Sequence, residues 1–503
     1  MVEDKSLAQI RNDSHDKAAI TDGPEHLENG VSNTEIGYDN NGISGIVRSP
    51  YVFGAALLDS FGGFSFGYDQ GVISIILTMP QFQHTFPEIA PGHSRYGFNT
   101  GFMTGMLEFG AFVGCLFFPL LADRYSRKHG LAVATVFFCV GAIIQTAAHN
   151  YGTLQWAPPN LRGSLLVLEA ISIVIGAIIA YWITYGCRDI SNHWAFRLPF
   201  LLQMAPALMV GIGIQFFPFS PRWLAMHRRN EDALHSLEKL RRLPGTDARV
   251  QAEWKGIVRE VEAQQMLLDR EHDTTKNPIA LEFQQWGDLF KPKYIRCTTG
   301  INAFVYYAPI FFAALGQDYE MSLILSGMVN ICQFVAGIPT FLFLDKFGRR
   351  KLAIFGGIAM GIPHIIMAGI VSKYNGKWVD NPGMGWFGIA LIYIYVLAYA
   401  SSYGPLAWTL PAEVFPSSKR AKGVGAATAM VWLANFIIGV IVPEMQLKLG
   451  WGTYLFFGCF CFAASIFSFF LVPETAGKSL EQIAHAFGDR FEDEESELQS
   501  SAH

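Results

Sequence analysis

Asp69 is the residue of this 503-residue chain whose type and placement speak most directly of chemistry. It lies in GGFSFGYDQGV, Gly62 to Val72, inside an apolar run from about Pro50 to Leu77. Such a run is long enough to cross a bilayer as a helix. A carboxylate at membrane depth is costly and usually faces a bundle interior or a water-filled path, where it can bind and release a proton. The alternative is an aspartate near a helix end, satisfied by lipid headgroups. The apolar and small residues that follow before Pro80 favour the buried, proton-binding reading. The glycines around Asp69 suit close approach by neighbouring helices. Asn302, Asn330 and Asn435 also lie within apolar runs. An amide there either glues helices together or meets a ligand with its paired donor and acceptor. The histidines and the seven cysteines show no metal-ligand spacing and no CxxC pair, so no metal, cofactor or enzymatic centre is expected.

The chain is 51% hydrophobic and only 16% charged, a membrane-protein composition that excludes a soluble enzyme or a nucleic-acid binder. Eleven apolar spans are readable, at about 50–77, 98–121, 131–148, 165–185, 199–217, 298–315, 322–344, 352–371, 386–410, 425–442 and 453–472. Gly404 and Pro405 are expected to break the span at 386–410. The domains read as a polar, disordered tail at 1–48, an N-terminal bundle at 49–220, a helical insert at 221–296, a C-terminal bundle at 297–472 and a tail at 473–503. Basic residues in short loops, Arg124, Arg127 and Lys128, then Arg349, Arg350 and Lys351, place those loops in the cytoplasm, with the insert, Lys419, Arg420, Lys422 and the C-terminal tail.

The halves repeat. DRYSRK at Asp123 matches DKFGRRK at Asp345, PPNLRG at Arg162 matches FPSSKRAKG at Arg420, and PFSPRWL at Pro218 matches PETAGKSL at Pro473. Repeated membrane halves predict a transporter with its site between them. Asp345 and Arg420 stand 75 residues apart, but Asp123 and Arg162 only 39. Two crossings need about 40 apolar residues plus loops, so the first half is short by one span, the fourth. With that span missing, either the following crossings reverse or one apolar segment, the third, fails to cross.

The motifs FGYDQGV, ADRYSRK, APPNLRGSL, FSPRWL, GINAFVYYAP, DKFGRRK, GPLAWTLPAEVFPSSKR and PETAGKSL resemble those of the sugar porter family of the major facilitator superfamily, in particular its fungal monosaccharide transporters. The resemblance covers about Tyr51 to Glu481. It implies an all-α membrane protein with two helical bundles and a cytoplasmic helical insert, here with eleven transmembrane helices where the family has twelve. It implies a multi-pass plasma-membrane protein that moves a monosaccharide, a hexose such as glucose, with a proton bound at Asp69. A sugar-sensing receptor on the same fold and a non-transporting truncated product are the alternatives. By resemblance Phe66, Asn302, Asn330, Trp408, Trp432 and Asn435 contact the sugar, the amides at its hydroxyls and the rings at its C–H face. By resemblance Asp123, Arg124, Arg127, Asp345, Arg349, Arg350, Glu413 and Arg420 form a cytoplasmic salt-bridge network that latches the bundles. The implied partners are the sugar, protons and the lipid bilayer, with no nucleic acid.

The chain departs from the family pattern in four places. The arginine of the fourth span that pairs with Asp69 is missing between Tyr151 and Ala157, and the glutamine pair that opens the seventh span is missing before Gly300. Phe219 stands where the family has an acid, and Ala170 and Ala177 where relatives often carry polar groups. Asn302 then lies six residues from Arg296, about 9 Å along a helix and too shallow for a midplane site. As written, the chain is expected to transport poorly.

Overall fold

The computed structural model describes residues 50–149, 151, 168–271, 304–414, 420–472 and 474. The N-terminal half consists of α1 (Pro50–Ile76), α2 (Tyr96–Tyr125), α3 (Arg127–Ala147), α4 (Leu168–Cys187), and α5 (Trp194–Leu202) continued by α6 (Met204–Gly213). The insert follows as α7 (Pro221–Met226), α8 (Asn230–Arg241) and α9 (Ala248–Glu271). The C-terminal half consists of α10 (Phe304–Ala314), α11 (Tyr319–Phe347), α12 (Arg349–Tyr374), α13 (Pro382–Ala400), α14 (Tyr403–Val414), α15 (Arg420–Leu449) and α16 (Trp451–Leu471). Among the described residues, eight helical stretches are long and apolar enough to cross a membrane. Helix occupies part of every predicted span. The segment 152–167, where the sequence is short by the fourth span, and the start of the seventh lie outside the described residues, as do the N-terminal tail and all of the C-terminal tail but Glu474.

Two expectations are corrected. The span at 386–410 is two helices, α13 and α14, and it breaks at Ser401–Ser402 rather than at Gly404–Pro405. Pro405 explains the offset, because in a continuous helix its ring would strike the carbonyl four residues earlier, at Ser401. The Ser402 hydroxyl donates to the Ala398 carbonyl at 2.6 Å and closes the last turn.

The third apolar segment does not fail to cross. α3 leaves the basic loop beside Arg124 and runs back along α2, and just beyond it Tyr151 donates its hydroxyl to the Asn99 carbonyl at 2.6 Å. α4 runs parallel to α1, since Gln81 donates to the carbonyls of Arg188 and Ile190 at 2.9 and 3.1 Å just past the end of α4. The α5–α6 rod returns to the basic side, where Lys128 Nζ donates to the carbonyls of Gln215 and Phe217 at 2.7 and 3.0 Å. Helix packing therefore sets the directions of these helices, and the insert stays on the side of the basic loops.

Glycines set the closest contacts. On α2, Gly97, Gly101 and Gly105 recur every fourth residue and so lie on one face. A Cβ on Gly101 would meet the Val440 carbonyl of α15, and one on Gly105 would sit 3.0 Å from Phe436 and from Val440. On α1, Gly67 and Gly71 press against the backbone of α4 at Ile173 and Ala177. Ala177, a departure from the family pattern, is buried in that seam. Between helices in lipid there is little hydrophobic drive, so backbone approach of this kind supplies much of the association.

The internal repeat is visible in three dimensions at the starts of α3 and α12. Each helix is preceded by a residue at positive φ, Ser126 at 113° and Gly348 at 82°. Glycine adopts this region freely and serine does not. The caps differ. Glu474 accepts the backbone N–H groups of Arg349 at 2.8 Å and Arg350 at 3.3 Å, placing a carboxylate on the positive end of α12. Phe219, the matching residue of the first half, cannot do this. Ser126 instead accepts the N–H of His129 at 3.3 Å, while the Phe219 ring packs against His129 with centroids 5.5 Å apart. In the insert, Arg241 grips Glu253 through two hydrogen bonds of 2.7 and 3.0 Å, and Arg222 pairs with Glu260 at 2.9 Å.

Two expectations follow for purified protein in detergent. Gly101→Ala forces α2 and α15 apart and costs about 1–3 kcal/mol, whereas Gly62→Ala, with nothing within 4 Å of its Cβ, is neutral; thermal unfolding of the two variants side by side checks this. Glu474→Ala uncaps α12 and costs about 1–2 kcal/mol, lowering the apparent Tm by about 2–4 °C, and an unchanged Tm would show that the cap is dispensable.

Candidate functional site

The two halves meet along α2 and α15, which lie antiparallel, and along α4 and α11. In the α2–α15 seam, Phe66 from α1 reaches Trp432 on α15, ring centroids 4.8 Å apart and edge to face. Ala111 and Cys115 of α2 and Ala429 of α15 are buried around the pair. Small residues at those positions leave room for the two large rings. One helical turn along α15 from Trp432 is Asn435, only 1% exposed, with neither its amide nitrogen nor its amide oxygen hydrogen-bonded among the described residues. Leaving a buried amide unsatisfied costs on the order of 2–7 kcal/mol. The side chain is therefore prepared for a polar partner that the described residues do not supply. Asn330, in the middle of α11, is 5% exposed.

Asp69 is 5% exposed, three residues from Phe66 on α1 and about 10 Å from the outer end of that helix. A helix places residues three apart on neighbouring positions, so the carboxylate and the Phe66–Trp432 pair belong to one region. The expectation that Asp69 meets no arginine turns on the missing fourth span, outside the described residues. So do Asn302 and the side chain of Trp408, whose backbone belongs to α14.

The structure distributes the expected cytoplasmic network unevenly. Arg349 and Arg350 are brought together by Glu474 at the start of α12, and the Arg350 guanidinium donates to the Phe469 carbonyl at 2.6 Å. Arg124 and Arg127 are exposed at the α2–α3 corner, and the Arg124 guanidinium lies 5.7 Å from the Tyr125 ring centroid. The side chains of Asp123, Asp345, Glu413 and Arg420 lie outside the described residues. Glu474 was not singled out by sequence reasoning, although its place in PETAGKSL opposite the basic loop carried the signal.

Contacts between halves at the outer end were also missed. Tyr181 of α4 donates to the Leu323 carbonyl of α11 at 2.6 Å. Arg188, just beyond α4, pairs with Glu320 of α11 at 2.8 Å and covers the Tyr185 ring with its guanidinium 3.7 Å from the centroid. These residues fall in or beside loops and have no sequence pattern to set them apart from topogenic charge. Glu108 of α2 is fully buried. The reasoning that singled out Asp69 applies to it equally, since FMTGMLEFGAF is an apolar run with one carboxylate in it.

A family profile described as "Sugar (and other) transporter" matches residues 55–156 and 153–487, two stretches that meet where the connection between the third span and Arg162 is short. The chain is 29% identical to the high-affinity glucose transporter of Kluyveromyces lactis over 88% of this chain and 86% of that one. It is 30% identical to hexose transporter 2 of the same yeast over 88% and 85%, and 28% identical to H(+)/hexose cotransporter 2 of Parachlorella kessleri over 90% and 89%. In fold it is similar to the proton:xylose symporter XylE bound to 6-bromo-6-deoxy-D-glucose, with a TM-score of 0.65 and 22% identity over 87% of this chain and 99% of that one. It is similar as well to the partially occluded inward-open form of the xylose transporter XylE from E. coli, with a TM-score of 0.64 over 86% of this chain and 100% of that one. With two helical halves, a basic-side insert and a profile match over most of its length, the chain is a multi-pass membrane member of the sugar porter family of the major facilitator superfamily, a carrier and not an enzyme.

Proposed function

We propose that the chain carries a hexose such as glucose across the plasma membrane together with a proton, with Asp69 as the proton-binding group and Phe66, Asn302, Asn330, Trp408, Trp432 and Asn435 as the sugar contacts. The observation that carries the reading is Asn435, a buried amide without a hydrogen-bond partner among the described residues, one helical turn from an aromatic pair that spans the two halves. A sugar fits that combination, since its hydroxyls need a donor and an acceptor together and its C–H face packs on rings. The cotransporter from Parachlorella supports proton coupling by likeness. The cytoplasmic charges Asp123, Arg124, Arg127, Asp345, Arg349, Arg350, Glu413 and Arg420 would latch the inner face, with Glu474 fixing the start of α12 in that assembly.

The two-part profile match, whose stretches overlap at 153–156, supports the further reading that this form lacks most of a fourth span and moves sugar weakly. The expected result is little uptake of labelled glucose by this chain in transport-deficient cells, and clear uptake by a version in which a complete fourth span and the opening glutamines of the seventh are supplied. Equal uptake by both at equal surface level would remove the idea of a defect, and no hexose uptake by the completed version would sink the sugar reading.

In whichever form transports, Asn435→Ala should raise KM about tenfold, the loss of one or two hydrogen bonds of about 1–1.5 kcal/mol. Asp69→Asn should abolish protonophore-sensitive accumulation while sparing exchange of labelled sugar. Wild-type uptake indifferent to a protonophore would rule out symport.

A further inference from the structure

We propose that Glu108 is a second proton-binding group, one that controls opening of the outer contact between the halves. Glu108 is twelve residues into α2, about 18 Å from its outer end, and so stands near the middle of a bilayer about 30 Å thick. It is 0% exposed. It follows Gly101 and Gly105 on the face of α2 that packs against α15, where those glycines let the two backbones touch. One turn before it, Thr104 is also fully buried and donates its hydroxyl to the Thr100 carbonyl at 3.0 Å. Across from both is Tyr307 of α10, close enough to feel the Glu108 charge and in contact with the Thr104 hydroxyl. Tyr307 in turn donates its own hydroxyl to the Gly439 carbonyl of α15 at 2.7 Å. The acid therefore sits where α2 of one half meets α10 and α15 of the other.

The titratable groups carried by the helices around it are placed as follows. Tyr307 is the described group that faces it from α10. On α15 the described titratable groups, Glu444 and Lys448, belong to the outer end, where they pair with each other at 2.7 Å. On α3, Arg127, Lys128 and His129 open the helix at the inner face, and Cys139 is half-buried farther along it. Asp69 and Tyr68 belong to α1, which touches α10.

An ionised carboxylate is far better solvated by water than by a closed helix seam. The closed seam thus accommodates the protonated acid, and parting α2 from α15 admits the water that lets it ionise. Proton occupancy and closure are then linked, each favouring the other. In a symporter this link has the useful direction, because a proton arriving from outside would favour closing behind the substrate. The idea rests on the transport reading for its purpose but not for its test.

The test uses the full 503-residue chain in cells, without sugar. Its native cysteines are replaced, and a reporter is placed at Thr100→Cys, a position 1% exposed on the outer side of Glu108. Labelling by a membrane-impermeant thiol reagent is measured from external pH 5 to 8 and divided by the rate for His93→Cys, an exposed outer-loop position that corrects for thiol ionisation. The normalised rate should rise about tenfold over that range as the seam opens. Adding E108Q should hold it low and flat, and E108D should keep the rise with a displaced midpoint. A flat profile in the parent, a parent-like profile in E108Q, or an unmoved midpoint in E108D would each overturn the proposal. The protonophore-sensitive accumulation assay is separate, so a Glu108-dependent profile in a protein that does not accumulate sugar with protons would leave the gate standing and remove the symport reading.

Discussion

A polar group at membrane depth has no water to fall back on, so it must find a partner in the protein or face a path that brings one. Much of this structure answers that constraint. Phenols reach across to helix carbonyls, as Tyr181 does at Leu323, Tyr393 at Leu325 and Tyr307 at Gly439, whose carbonyl gets no intrahelical N–H because Pro443 stands four residues on. Buried serines and threonines fold back onto their own helices, among them Ser65, Thr184 and Ser326. Against that background Asn435 differs, because its amide is buried and makes no hydrogen bond among the described residues.

The same constraint explains why glycine governs the seams. Where helices need not be pushed together by water, they associate by packing, and backbone contact demands residues without side chains. The α2–α15 seam uses three glycines at every fourth position, and the α1–α4 seam uses Gly67, Gly71 and Gly176. One seam joins the two halves and the other lies within the first half. The α1–α4 contact also holds α4 parallel to α1, so the helices keep their directions despite the short connection that precedes α4.

The halves are alike in backbone and unlike in chemistry. Ser126 and Gly348 hold the same unusual conformation before α3 and α12, and Lys128 and Arg350 both donate to carbonyls at the end of a later helix of their own half. The second half caps its helix with a carboxylate, Glu474. The first half has Phe219 at that position, which stacks on Trp223 with centroids 5.7 Å apart and takes the Lys128 ammonium over its ring at 5.4 Å. A charged cap draws its strength from the helix dipole and weakens with salt, whereas an aromatic stack does neither. The two inner corners thus rest on different physics.

The sequence by itself determined where the apolar helices lie, that the halves repeat, and that Asp69 is a carboxylate within an apolar helix. Those properties follow from local quantities: the length of an apolar run, the sign of nearby charge, and the cost of one ionisable group in lipid. Tertiary structure alone decided the rest. It showed that the third segment runs back alongside α2, because direction depends on which helix packs on which and not on a count of crossings. It placed Phe66 against Trp432 and left Asn435 unsatisfied beside them, although the sequence separates the first residue from the other two by more than 360 positions. It moved the break in the 386–410 span to Ser401, where the clash falls rather than where the proline is written. It also gave Glu108 and Glu474 their meaning, since a carboxylate in an apolar run and one in a tail acquire roles only through the helix ends and seams that the fold brings to them.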